Sequence, residues 1–154
     1  MNSINAKNKT AEILLIEDNV GDVLLTKEAF RSTQFKYNLR VAKDGDEALK
    51  ILNRQGKFNE SPLPDLILLD LSLPKIDGRE VLEKIKTNAK LKDIPVIILS
   101  GSAAETDMTT SYDLHANSYV VKPDNFEDFK EIVASIENFW FENKELHPKD
   151  KTFH

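Results

Sequence analysis

Cysteine is absent from the 154 residues, which removes disulfides, thiolate nucleophiles and Cys-based zinc sites from consideration. Histidine is scarce, and His115, His147 and His154 make no metal-ligand spacing. No apolar run approaches the roughly 20 residues of a membrane span. The opening MNSINAKNKT is polar and lacks the apolar stretch of a secretion signal, so a cytoplasmic location is expected. Positive charge is in deficit, with 21 Lys and Arg against 26 Asp and Glu and a net charge of −5. That sign is wrong for the basic footprint of a nucleic-acid binder, and no nucleic-acid partner is expected. Repeats and low-complexity tracts are missing as well.

What is present is apolar mass in short pieces. Hydrophobic residues make up 40% of the chain, enough for one core and, at this length, one ordinary domain. The expected division is a flexible segment over 1–10, a domain over 11–142 and a tail over 143–154. Five apolar runs alternate with five amphipathic ones. The runs are Ile13–Ile16, a weaker alternating Tyr37–Ala42, Leu66–Leu69, Val96–Leu99 and Tyr119–Val121. Unbroken aliphatic fours suit central parallel strands covered on both faces. Helices are expected over Asp22–Ser32, Glu47–Arg54, Arg79–Asn88, Thr106–Leu114 and Phe126–Phe141, the last with Asn125 as its N-cap. Strict alternation predicts an α/β fold: a flavodoxin-like, doubly wound, five-stranded parallel sheet of order 2-1-3-4-5 with five helices.

Such a sheet binds ligands beyond the carboxyl ends of its strands. Those ends read Glu17-Asp18, Asp70, Ser100 and Lys122. Each residue alone has an ordinary reading as a cap, a turn or a loop. Four such ends on one edge favour a site. Two carboxylates ~5 Å apart repel by roughly 3 kcal/mol at an effective dielectric near 20. One lysine cannot neutralise three carboxylates, whereas a hard divalent cation such as Mg²⁺ can. No glycine-rich loop follows the first strand, so a nucleotide's phosphate cradle is absent. With no cysteine, and no histidine at a strand end, carboxylate is left as nucleophile. An aspartate can take a phosphoryl group as an acyl phosphate. Metal and Lys122 would supply cations for the phosphoryl oxygens, and the Ser100 hydroxyl a donor.

The stretches ILLIEDN, LLDLSLPKIDG, ILSGS and YVVKP together resemble the receiver domain of two-component response regulators, over about Glu12 to Trp140. The resemblance implies Asp70 as phosphoacceptor, with Glu17 and Asp18 as the acidic pair. Asp18, Asp70 and the backbone carbonyl of Ser72 would bind Mg²⁺ directly. Ser100 would bind the phosphoryl oxygen, Lys122 would pair with it, and Gly101 would leave room for the group. Lys122-Pro123 matches the family's cis peptide, which would aim the lysine inward. Tyr119 matches an aromatic switch position; the ordinary alternative is a surface strand residue. DLSLP, DLHANSYVVKP and the late Phe139-Trp140 resemble small stand-alone regulators paired with bacterial phytochrome histidine kinases. A sensor histidine kinase, possibly a phytochrome, is therefore the implied partner.

Two stretches depart from the family pattern. Gln55–Pro64 lengthens the interval before Asp70, and His115 stands where many receivers have glycine. The chain also ends after the fifth helix without an output domain, so action by binding is expected. On that helix Phe126, Phe129, Val133, Ile136 and Trp140 form one stripe for the sheet to bury. Ile132 and Phe139 widen it and Phe141 lies off it. These three are the expected interface of a homodimer on the face of the fourth helix, fifth strand and fifth helix. Three rivals stand beside this reading. An aspartate-nucleophile phosphohydrolase would need a second acid two residues after Asp70, where Ser72 stands. A flavin electron carrier would need a phosphate loop after the first strand. A degenerate receiver would act without phosphorylation.

Overall fold

In the computed structural model, residues 10–101 and 105–143 are described. The elements are β1 (Ala11–Ile16), α1 (Val20–Phe30), β2 (Tyr37–Ala42), α2 (Gly45–Leu52), β3 (Leu66–Leu69), α3 (Gly78–Lys86), β4 (Val96–Ser100), α4 (Glu105–Asp113), β5 (Ser118–Val121) and α5 (Phe126–Asn143). All five strands pair in parallel, in the order β2-β1-β3-β4-β5. This is the expected doubly wound fold.

Covering both faces of the sheet explains the unbroken aliphatic runs. Successive side chains of a strand point to opposite faces. Leu14, Ile16, Ile67, Leu69, Val96 and Ile98 pack with α2 and α3 residues such as Ile51, Val81 and Ile85. Ile13, Leu15, Leu66, Leu68, Ile97 and Leu99 pack with Phe30 of α1 and Phe129, Val133, Ile136 and Trp140 of α5. The edge strand β2 needs cover on one side only, and its exposed and half-buried residues alternate until Ala42.

The turns from β1, β2, β3 and β5 into the helices that follow are each closed by a short polar side chain. Asn19 accepts from the Asp22 N–H at 2.9 Å, Asp44 from Glu47 at 2.8 Å, Asp77 from Arg79 at 2.8 Å and Asn125 from Asp128 at 2.9 Å. These caps satisfy helix N–H groups that have no partner within the helix. They also fix where each chain leaves the sheet edge. The stretch Gln55–Pro64 is folded rather than loose. It carries a short 3-10 turn at Gly56–Phe58, Phe58 and Leu63 lean on the core, and Arg54 Nε donates to the Ser61 carbonyl at 2.9 Å.

His115 has φ of +72°. It occupies the left-handed region in which glycine is unstrained. Among the described residues no helix is long and apolar enough to cross a membrane.

Candidate functional site

β1 and β3 end side by side, with Ile16 opposite Leu69. The next residues, Glu17 and Asp70, are therefore neighbours at the sheet's carboxyl edge. Both are buried, at 2% and 4% exposure, and Asp18 beside them faces solvent. One carboxylate oxygen from each of Glu17, Asp18 and Asp70 lies within 4.8 Å of the others. Hard oxygen donors in that arrangement suit a cation of the Mg²⁺ class.

The Asp70 carboxylate is fixed at both oxygens. Oδ1 accepts the Ser72 backbone N–H at 3.1 Å, and Oδ2 accepts from Lys122 Nζ at 3.1 Å. The ammonium also meets Glu17 Oε1 at 2.7 Å and Asp22 Oδ2 at 2.7 Å. Burial raises the Glu17 carboxyl to about 7, against the opposing pull of its Lys122 hydrogen bond. Burial also depresses the Lys122 ammonium. Hydrogen bonds to Asp22 and Glu17 and the charges of Glu17 and Asp70 outweigh that and hold it above the ordinary lysine value. Three carboxylates thus share one ammonium with Asp18 close by, an excess of negative charge that a proton on Glu17 or a bound cation relieves.

The backbone below Asp70 is equally constrained. Gly78 donates its N–H to the Leu71 carbonyl at 3.0 Å. A methyl on Gly78 would overlap the Asp70 carbonyl oxygen and Leu71 Cα. The loop from β3 can fold back onto α3 only because Gly78 has no side chain.

The expected residues distribute as follows. Glu17, Asp18, Asp70 and Lys122 come together. Ser100 ends β4 fully buried, its carbonyl accepting the Lys122 N–H at 2.8 Å. Gly101 is exposed, and a Cβ there would meet nothing within 4 Å. Tyr119 is buried at 8% on the α2–α3–α4 side of the sheet, not at the surface, and its N–H donates to Tyr112 Oη of α4 at 3.2 Å.

The expected cis peptide at Lys122-Pro123 is corrected, because every peptide bond among the described residues is trans. The lysine still reaches inward, since the Lys122 N–H bond to Ser100 aligns the end of β5 with β4 and three carboxylates draw the ammonium in. Pro123 lines a hollow of about 580 Å³ between β5 and α5 together with Tyr119, Val121 and Ile132.

On α5, Phe129, Val133, Ile136 and Trp140 are buried as expected, whereas Phe126, at the start of the expected stripe, is only half-buried. Ile132 and Phe139 are half-buried rather than open, and Ile132 packs against the α1–α5 core. The Phe141 side chain lies outside the described residues. Among the described residues the exposed large apolar side chains are Val20, Leu24, Tyr112 and Val121.

Asp22 was not among the expected site residues. An acidic residue in the first turn of a helix reads as a partner of the helix dipole, and its place one turn after the acidic pair is the only hint in the sequence of a second role.

The model of the response regulator receiver domain matches residues 13–134. The response regulator Rcp1 of Synechocystis sp. is 45% identical over 139 residues, covering 90% of this chain and 95% of that protein. The phosphorylated cyanobacterial phytochrome response regulator RcpA has a crystal structure that superposes with a TM-score of 0.83 at 44% identity, covering 87% of this chain and 96% of that one. The Mn²⁺-bound form of Rcp1 superposes with a TM-score of 0.81 at 45% identity, covering 88% and 98%.

Proposed function

Because the chain belongs to the family of response regulator receiver domains, we propose that Asp70 is its phosphoacceptor and takes a phosphoryl group from the histidine of a sensor kinase. The observation that supports this most is the convergence of Glu17, Asp18, Asp70 and Lys122 at one sheet edge. In the transfer, the P–N bond of the kinase phosphohistidine breaks as a P–O bond forms to an Asp70 carboxylate oxygen, and the imidazole departs.

Receiver domains bind a divalent metal. In this chain Glu17, Asp18, Asp70 and the Ser72 carbonyl would hold Mg²⁺, which when bound spreads positive charge over the phosphoryl oxygens. The chain's own groups do the rest. The Ser72 N–H and Lys122 fix the orientation of the Asp70 carboxylate. Lys122 pairs with the incoming oxygens, and the Ser100 hydroxyl donates to one of them. Gly101 leaves the approach open. The added charge then favours one arrangement of Ser100 and Tyr119 over another, a shift of population that changes a binding surface.

Receiver domains signal rather than catalyse, and we read this chain as a cytoplasmic signalling protein without enzymatic turnover. Its likeness to Rcp1 and RcpA favours a phytochrome histidine kinase as donor. The exposed Tyr112 and Val121 favour a homodimer through α4, β5 and α5, with Ile132, Phe139 and Phe141 on its flank and no role in nucleic-acid binding.

Incubation with a panel of labelled histidine kinases, with and without Mg²⁺, tests the assignment. Label should pass to the protein only with metal, and Asp70→Asn should lose it while remaining folded. Full labelling of that variant contradicts the assignment. Steady turnover of small phosphomonoesters would instead favour a phosphohydrolase. For the dimer, gel filtration should show Phe139→Asp shifted to monomer. Identical monomeric elution of variant and parent counts against it.

A further inference from the structure

We propose that Asp22 is a positioning residue for Lys122, holding the ammonium back from the phosphoacceptor and so limiting how tightly a phosphoryl group is retained on Asp70. The inference rests on the reading of Asp70 as phosphoacceptor and concerns a residue outside the metal-binding set.

A lysine ammonium has three protons to donate. Here three carboxylates take them: Glu17 at 2.7 Å, Asp22 at 2.7 Å and Asp70 at 3.1 Å. The contact with the phosphoacceptor is the longest of the three. Glu17 and Asp70 are consecutive with strand ends and are fixed by the sheet. Asp22 arrives from α1, 100 residues before Lys122 in the chain. The Asp22 backbone is independently anchored, its N–H capped by Asn19 and its carbonyl accepting the Thr26 hydroxyl at 2.7 Å. Its side-chain carboxylate is therefore not needed to start the helix. Half-buried beside a lysine exposed by only 12%, its carboxylate pairs with Lys122 alone among the described residues.

A phosphoryl group on Asp70 brings more negative charge and three strong acceptor oxygens. Lys122 must then turn a proton from a carboxylate to the phosphoryl group. Glu17 sits on the metal side of the cluster, so Asp22 is the anion that competes for the ammonium without serving the cation. Neutralising it frees Lys122 for the phosphoryl oxygens.

The test uses beryllofluoride, a phosphoryl mimic, titrated into the full chain at saturating Mg²⁺ and followed by ¹⁹F NMR. Asp22→Asn should bind it roughly tenfold more tightly, with Asp22→Glu returning toward the parent value. The same substitution in a Lys122→Ala background should change affinity little, because the effect runs through the ammonium. Equal affinity of parent and Asp22→Asn overturns the proposal. An equal gain in the Lys122→Ala background also overturns it, since that would be a general field effect. Failure of the parent chain to bind the mimic at all would instead count against Asp70 as phosphoacceptor.

Discussion

Gly78 lies against the backbone of Asp70, with its N–H bonded to Leu71 and no space for a Cβ. The loop that presents Asp70 is thereby pinned to the first turn of α3. Gly78→Ala must push the Asp70 carbonyl or the helix away, at a cost of about 2 kcal/mol typical of overpacking. Urea unfolding should report that loss. Phosphoryl uptake should fall further than stability does, because the Asp70 carboxylate moves with its backbone.

Lys122 is the one cation that touches both Glu17 and Asp70 among the described residues. Lys122→Ala leaves two buried carboxylates without their counter-ion, a loss of about 3 kcal/mol in the absence of metal. Mg²⁺ should restore a large part of it, because a cation can replace the ammonium's charge in the cluster. Thermal unfolding with and without Mg²⁺ checks this. The variant should still bind the cation, while the surface change that follows phosphorylation is lost.

His115 holds a left-handed backbone at the turn between α4 and β5. A side chain there costs about 1 kcal/mol that glycine does not pay. His115→Gly should raise the urea midpoint by a corresponding amount. No change in midpoint would mean that His115 contacts offset the backbone strain.

Lys86 is tied by its Nζ to the carbonyls of Lys92 at 3.1 Å and Ile94 at 2.8 Å and to Asn117 Oδ1 at 3.3 Å. Burial pushes its ammonium down to about 8 from an ordinary 10.5, with the charge of Asp93 opposing. Between those two values the unfolded chain holds a proton that the folded chain has released. Stability contributed by this group therefore rises with pH across that window, and the burden of a buried charge is fully present below it. Compared with the parent, Lys86→Met should show a flatter dependence of urea midpoint between pH 8 and pH 10.5. Parallel curves for the two proteins would contradict the assignment.

Much of the fold was legible because burial on two faces leaves a plain trace. Tyr37–Ala42 and Leu66–Leu69 match their strands residue for residue, and the other three strands extend the expected ones by one or two residues. Helix starts were less clear. Gly45 and Gly78 open helices that aliphatic spacing placed two residues and one residue later, since small residues at a first turn carry no periodic signal. Tyr119 could be read as surface or interior from its strand alone; packing with α4 neighbours placed it inside.

By itself the sequence determined the layers, the strand order and the edge on which Glu17, Asp18, Asp70 and Lys122 would gather, because alternation and strand-end position are local properties of the chain. Tertiary structure decided the rest: that Asp22 shares the ammonium of Lys122, that Lys122-Pro123 is trans, and that Gly78 touches Asp70. The ion pair joins residues 100 positions apart in the chain and the steric contact joins a strand end to the helix that follows it, so both are settled only once packing has fixed the partners in space.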